Sequence, residues 1–179
     1  MSKNKILING QEVRIKNVDG EQYFCITDIA KSGKGAPTQI ILNYLRNKNT
    51  ILFLGMWEVM HNQNFKQLEF EVIKNETGLN NFTLSVGQWI KQTDAKGMKV
   101  FRGKYGGTYC HKDIVLHFTT WFSVPFYLYL IQEFQYLSLQ NKKSLEWHLS
   151  KITNNIEETR NLLDTIPMQK DDLNRLKKK

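Results

Sequence analysis

Two turn-forming dipeptides in the first twenty residues do most to restrict what this chain can fold into. Asn9-Gly10 separates the apolar run Ile6-Leu7-Ile8 from Val13-Arg14-Ile15, and Asp19-Gly20 stands just before Gln22-Tyr23-Phe24-Cys25-Ile26. Asn, Asp and Gly tolerate the positive φ of a two-residue hairpin turn, so each dipeptide predicts a tight reversal between antiparallel strands. The chain is expected to open on a hairpin, a second turn and a third short strand.

That third strand runs directly into a helical signal. Thr27 is placed to cap a helix Asp28-Ile29-Ala30-Lys31, with Asp28 in the first turn where the helix dipole favours a carboxylate. Ser32-Gly33-Lys34-Gly35 stops it, and Pro37 opens a second helix through Ile40, Ile41, Tyr44 and Leu45. Two short helices around a glycine-containing turn outline a helix-turn-helix, whose second helix usually enters a major groove. Thr50 to Met60 reads as a core-packing helix through Leu52, Leu54, Trp57 and Met60, whereas Asn64 to Glu76 mixes two periods and leaves strand and helix both open. Ser85 reads as the N-cap of a helix Val86 to Thr93.

Two strand-like runs, Met98 to Phe101 and Thr108 to His111, bracket a loop rich in glycine and positive charge, the pattern of a hairpin wing. Lys112 to Phe122 is helical, and a long helix begins near Phe126 and continues past Leu163 to Pro167. Within it Leu145, Leu149, Ile152, Ile156, Leu163 and Ile166 fall near alternating spacings of four and three, with the polar Thr159 filling one seam position, a short coiled-coil signal. The fold class read from these elements is α+β.

The 179 residues suit one domain plus an appendage, and 41% hydrophobic residues are enough for a real core. A formal charge of +8 favours polyanionic partners, nucleic acid or an anionic membrane surface. Against a membrane, no apolar run approaches the roughly 18–20 residues of a span. The start MSKNKILINGQEV has no signal-peptide pattern, so the expected location is the cytoplasm, where Cys25 and Cys110 read as buried free thiols rather than a disulfide.

Cys25-Ile26-Thr27-Asp28-Ile29-Ala30-Lys31, Leu42 to Arg46, Gly106-Gly107-Thr108-Tyr109-Cys110-His111 and Trp121-Phe122-Ser123-Val124-Pro125-Phe126 occur in an order that resembles the KilA-N domain of phage and bacterial DNA viruses. The likeness covers roughly Gly20 to Leu137. KilA-N is similar in turn to the fungal APSES DNA-binding domain, which implies a small sheet carrying a helix-turn-helix and a β-hairpin wing. It also implies a phage or mobile-element origin and a role in transcription regulation. The expected organisation is a DNA-binding domain at 1–137 with a helical insertion at about 50–93, a helical arm at 138–167 and a charged tail at 168–179. The stretch Thr50 to Thr93 is long for the connection between recognition helix and wing.

The residues agree with that resemblance on their own chemistry. Lys96, Lys99, Arg102 and Lys104 cluster in the wing with no acidic residue from Ala95 through Cys110, and Tyr105 is placed to stack or to bond the backbone. Thr38, Gln39, Asn43 and Arg46 project from the outer face of the second helix, where Gln or Asn can pair with adenine and Arg with guanine. Lys31, Lys34 and Lys48 suit phosphate. A solvated basic hairpin and an ordinary polar helix face are the bland alternatives. No catalytic, metal or cofactor residue is expected: the four histidines are scattered, no nucleophile stands beside an evident base, and no P-loop is present. The partner expected first is double-stranded DNA, bound by a homodimer joined through Leu145, Leu149, Ile152, Ile156 and Leu163. The competing reading is a protein-interaction module, such as an antirepressor, whose arm captures a partner helix; RNA stands third, without an RNP or GXXG signature.

Overall fold

The computed structural model describes residues 5–8, 11–140 and 150–158. They fall into two compact units, Met1–Tyr127 and Leu128–Lys179.

The first unit is built on five antiparallel strands. β1 (Lys5–Ile8) pairs with β2 (Gln11–Val18), and β2 with β3 (Glu21–Cys25). The turn between β2 and β3 puts Asp19 at φ 53° and Gly20 at φ 84°. Two successive left-handed residues match the twist of the flanking strands, which is why Asp-Gly closes this hairpin. Asn9-Gly10 lies outside the described residues. β3 then pairs with β5 (Gly107–His111), and β5 with β4 (Met98–Phe101), giving the order β1-β2-β3-β5-β4.

Cross-strand register assigns the two faces. Phe24, Cys110 and Met98 are successive partners and point into the main core, while Cys25, Tyr109 and Lys99 are partners on the opposite face. There Tyr23, Cys25 and Tyr109 form a second, smaller buried cluster with Val18 and Phe101 packed against it. Cys25 and Cys110, both buried and free, therefore sit on opposite faces of adjacent strands, so their sulfurs cannot bridge.

Strand β3 passes without a loop into α1 (Ile26–Ala30). Thr27 does not cap it, contrary to expectation: the helix starts two residues earlier, and its N-cap Cys25 makes no side-chain cap bond. Because β3 ends at Cys25, the amide of Thr108 has no strand partner on that side, and it donates to Thr27 Oγ1 at 2.9 Å instead. Helix α2 (Pro37–Arg46) begins on proline, as expected, and buries Ile41, Tyr44 and Leu45. The Tyr44 hydroxyl meets His117 Nδ1 at 2.8 Å and Phe53 stacks on the same imidazole at 4.0 Å, which anchors α2 to the helix that carries His117.

The stretch after α2 is a helical layer: α3 (Lys48–His61), α4 (Gln67–Glu76) and α5 (Val86–Thr93). Asn47 caps α3 by accepting from the amides of Asn49 and Thr50. α3 buries Ile51, Leu54, Gly55, Trp57 and Glu58, but Met60 is 74% exposed and takes no part in the core, a correction to the sequence reading. The ambiguous stretch 64–76 resolves as helix from Gln67 onward; Phe70 and Ile73 face inward while Leu68 and Val72 remain exposed, which is what blurred the period. Gly55 is needed because a Cβ there would collide with the Phe70 ring. Ser85 and Gln88 form the capping box that starts α5. After the β4–β5 hairpin, α6 (Lys112–Phe122) buries Ile114, Val115, Phe118 and Thr119.

Helix α7 (Val124–Gln140) follows. In the second unit, Leu128, Ile131 and Leu137 of α7 are exposed, residues 150–158 are helical, and Ile152 and Ile156 are exposed. Leu145, Leu149, Leu163, Ile166 and the tail 168–179 lie outside the described residues. Among the described residues no single helix is long and apolar enough to cross a membrane.

Candidate nucleic-acid interface

On α2 the inward set Ile41, Tyr44 and Leu45 fixes which side faces out, and Thr38, Gln39, Asn43 and Arg46 are all exposed. Gln39 Nε2 donates to Asn43 Oδ1 at 3.0 Å, so the two amides lie side by side one helical turn apart. Arg46 reaches Asn80 O at 3.5 Å. Lys34 is exposed in the turn before α2, and Lys48 is exposed in the first turn of α3. From Ile29 through Trp57 the chain carries no acidic residue.

The β4–β5 hairpin turns through Arg102 to Gly106. Arg102, Lys104 and Tyr105 are exposed at its tip, and none of the three makes an ion pair among the described residues. Gly103 adopts φ 88° and its carbonyl accepts from Gly106 N at 2.8 Å. A side chain at Gly106 would strike the carbonyls of Phe101 and Gly103. At Gly107 it would press on Cys25 Sγ and Thr27 Oγ1, so this glycine lets the base of the turn approach the β3–α1 junction.

Lys96 and Lys99 are placed differently from the tip. Lys96 is half-buried at the hairpin root, where its carbonyl accepts from Tyr23 Oη at 3.0 Å. Burial, with the nearby charge of Glu21 and Glu58, pushes the Tyr23 phenol up to about 12, so it stays a donor. Lys99 Nζ lies 5.9 Å from the Tyr23 ring centroid. The root is gripped by Glu58 of α3, a fully buried carboxylate that accepts from Gly97 N at 2.7 Å, Lys96 N at 3.0 Å and Asn62 Nδ2 at 2.9 Å. The long helical connection thus ends by clamping the hairpin to α3.

Two cations that the sequence reading passed over join the sheet side. Lys16 Nζ sits 3.9 Å from the Phe101 ring centroid and 5.1 Å from that of Tyr109. Arg14, two residues earlier on the same face of β2, forms an ion pair with Asp28, its Nε at 2.6 Å from Oδ2 and its Nη2 at 2.9 Å from Oδ1. The period-2 alternation of Arg14 and Lys16 with Val13 and Ile15 was a usable signal for this pair.

Asp28 is the larger correction. Capping and the helix dipole seemed sufficient to account for it, but the carboxylate is 3% exposed and shared between Arg14 and Lys31, whose Nζ stands 2.8 Å from Oδ1. Burial pushes the carboxyl up, yet hydrogen bonds from Arg14 and Lys31 more than offset it and hold it well below the usual carboxylate range. The free side of Arg14 continues outward: Nη2 also donates to Gly106 O at 3.2 Å. Three successive contacts of 2.8, 2.9 and 3.2 Å therefore run from the Lys31 ammonium through Asp28 and Arg14 to the carbonyl beneath the hairpin tip.

Among the described residues no three His, Cys, Asp or Glu side chains gather where they could hold a metal ion. The family model described as KilA-N domain matches residues 6–140. No curated protein and no solved structure matches the chain.

Proposed function

Because the chain belongs to the KilA-N domain family, a family of DNA-binding domains, we propose that it is a non-enzymatic, sequence-specific double-stranded DNA-binding protein of phage or mobile-element origin that regulates transcription. Helix α2 is the recognition helix, reading base edges in a major groove through Thr38, Gln39, Asn43 and Arg46. The β4–β5 hairpin is the wing, with Arg102, Lys104 and Tyr105 on adjacent backbone or minor groove and Lys96 and Lys99 behind them. Lys31, Lys34 and Lys48 hold phosphates, positioning the protein without reading sequence.

The observation that carries this reading is the contact chain from Lys31 to Gly106, which ties the turn leading into α2 to the base of the hairpin tip. Two acid-free basic stretches meeting at one junction suit a polyphosphate backbone. Binding to a duplex across a salt series tests it. If about six phosphates are neutralised, log affinity falls against log salt with a slope of about −5, and Arg102→Ala or Lys104→Ala each flattens it by about 1. Affinity indifferent to salt would refute the reading. Selection from a random duplex pool would then report the target, and palindromic half-sites would mark a two-fold dimer.

A second reading, capture of a partner helix by the C-terminal arm, is favoured by Ile152 and Ile156, four residues apart and both exposed in the helical residues 150–158. Sedimentation of Ile152→Lys with Ile156→Lys separates the two uses of that seam. Dimerisation predicts a dimeric parent and a monomeric variant that binds DNA more weakly. Partner capture predicts a monomeric parent, with DNA affinity unchanged by the substitutions.

A further inference from the structure

We propose that Arg14 and Asp28 are positioning residues: their buried ion pair locks the tip of the β4–β5 hairpin against α1, and so sets the spacing at which the hairpin and α2 present themselves to DNA. The consequence for DNA rests on the reading above; the lock itself does not.

A buried ion pair is a costly way to gain stability, since taking both charges out of water offsets much of their attraction, and apolar replacements often serve as well. Its usefulness here lies in what the guanidinium spans. Arg14 points one fork at Asp28, within the first turn of α1, and with the same Nη2 holds Gly106 O in the hairpin turn. A planar guanidinium presents its donors at fixed angles, so satisfying the carboxylate dictates where the remaining N–H can place the carbonyl. Asp28 is fixed in turn by the backbone amide of Arg14 at 3.2 Å and by Lys31 at 2.8 Å.

The other ties at this junction sit lower on the hairpin. Thr27 takes the amide of Thr108, and Gly107 packs on Cys25; both hold the start of β5. Within the hairpin, Tyr109 Oη of β5 donates to Tyr105 O at 3.3 Å; among the described residues Arg14 supplies the hydrogen bond that ties the turn to a strand outside the hairpin, next to the tip carrying Arg102, Lys104 and Tyr105. Arg14 Nε and Nη2 are taken up by these partners and its side chain is 21% exposed, whereas the Lys31 side chain, paired with the same carboxylate, is 52% exposed; that distinguishes Arg14 from a phosphate ligand.

The test uses the full chain with Arg14→Lys, which keeps the positive charge but cannot span Asp28 and Gly106 together, and Asp28→Asn as a second variant. In the free protein, amide hydrogen exchange across Gly103–Gly107 is expected to accelerate about tenfold in both, while α3 and α5 keep their protection. With a mixed-sequence duplex as probe, affinity is expected to fall about tenfold with the salt slope unchanged, because no phosphate contact is removed. Turn amides exchanging as in the parent would overturn the lock. So would a slope that falls by about 1 in Arg14→Lys, which would make Arg14 a phosphate contact. If Asp28→Asn loses protection throughout, Arg14→Lys alone decides the matter. A parent that does not bind the duplex would refute the proposed function, yet leave the exchange result to judge the lock.

Discussion

Asp28 and Glu58, both buried, answer different structural demands. Asp28 balances Arg14 and Lys31, and breaking such a pair leaves a charge without a partner, so Asp28→Asn is expected to cost about 3 kcal/mol at pH 7. Its folded-state pKa lies below the unfolded value of 3.8, so the stabilisation is complete above that value and drains away as the pH falls through it towards the lower folded-state value. Urea melts should show the gap between parent and Asp28→Asn narrowing below about pH 4; a gap of constant size down to pH 3 would mean that the pair does not hold the carboxylate ionised. Glu58 faces three N–H donors and accepts from all of them. Glu58→Gln turns one acceptor into a donor aimed at donors, so a loss of about 2–3 kcal/mol is expected in the same melts. A neutral substitution would show that the hairpin root is held by other contacts.

Elements divide into those whose signals are local and those whose signals are not. The Ser85–Gln88 capping box, Pro37 at the start of α2, Asp19-Gly20 and the strands around the glycine-rich turn are short-range chemistry, and each was legible in the sequence. Helix α4 was not, because Leu68 and Val72 are apolar yet exposed and so mask the spacing of Phe70 and Ile73. The exposed face of α2 followed from its inward residues. Arg14, Asp28 and Glu58 were missed as a set because the contacts Arg14–Asp28, Glu58–Lys96 and Arg14–Gly106 span 14, 38 and 92 residues, and a pattern read within one element cannot see a contact made between elements. At α2 a functional consequence follows. Asn43→Ala should relax base preference at one or two positions by about 1–3 kcal/mol and leave the salt slope as it was. A uniform loss of affinity for every sequence would instead make Asn43 a backbone contact.

At the scale of the molecule, the first unit ties the segment leading into α2 to the β4–β5 hairpin through residues remote in sequence. The α3–α5 layer looks long for a simple connection, and its use is to return the chain to the sheet edge and seat the β4–β5 hairpin on Glu58. The Asp28–Arg14 pair then joins that hairpin to the α1–α2 segment. On the proposed function, residues 31–48 and 102–105 grip one duplex together. A nuclear magnetic resonance titration of isotope-labelled protein with its selected duplex tests it most directly. Amides in both stretches should shift over the same range of DNA concentration while those of α4 stay in place; shifts confined to one stretch, or absent from both, would contradict the account.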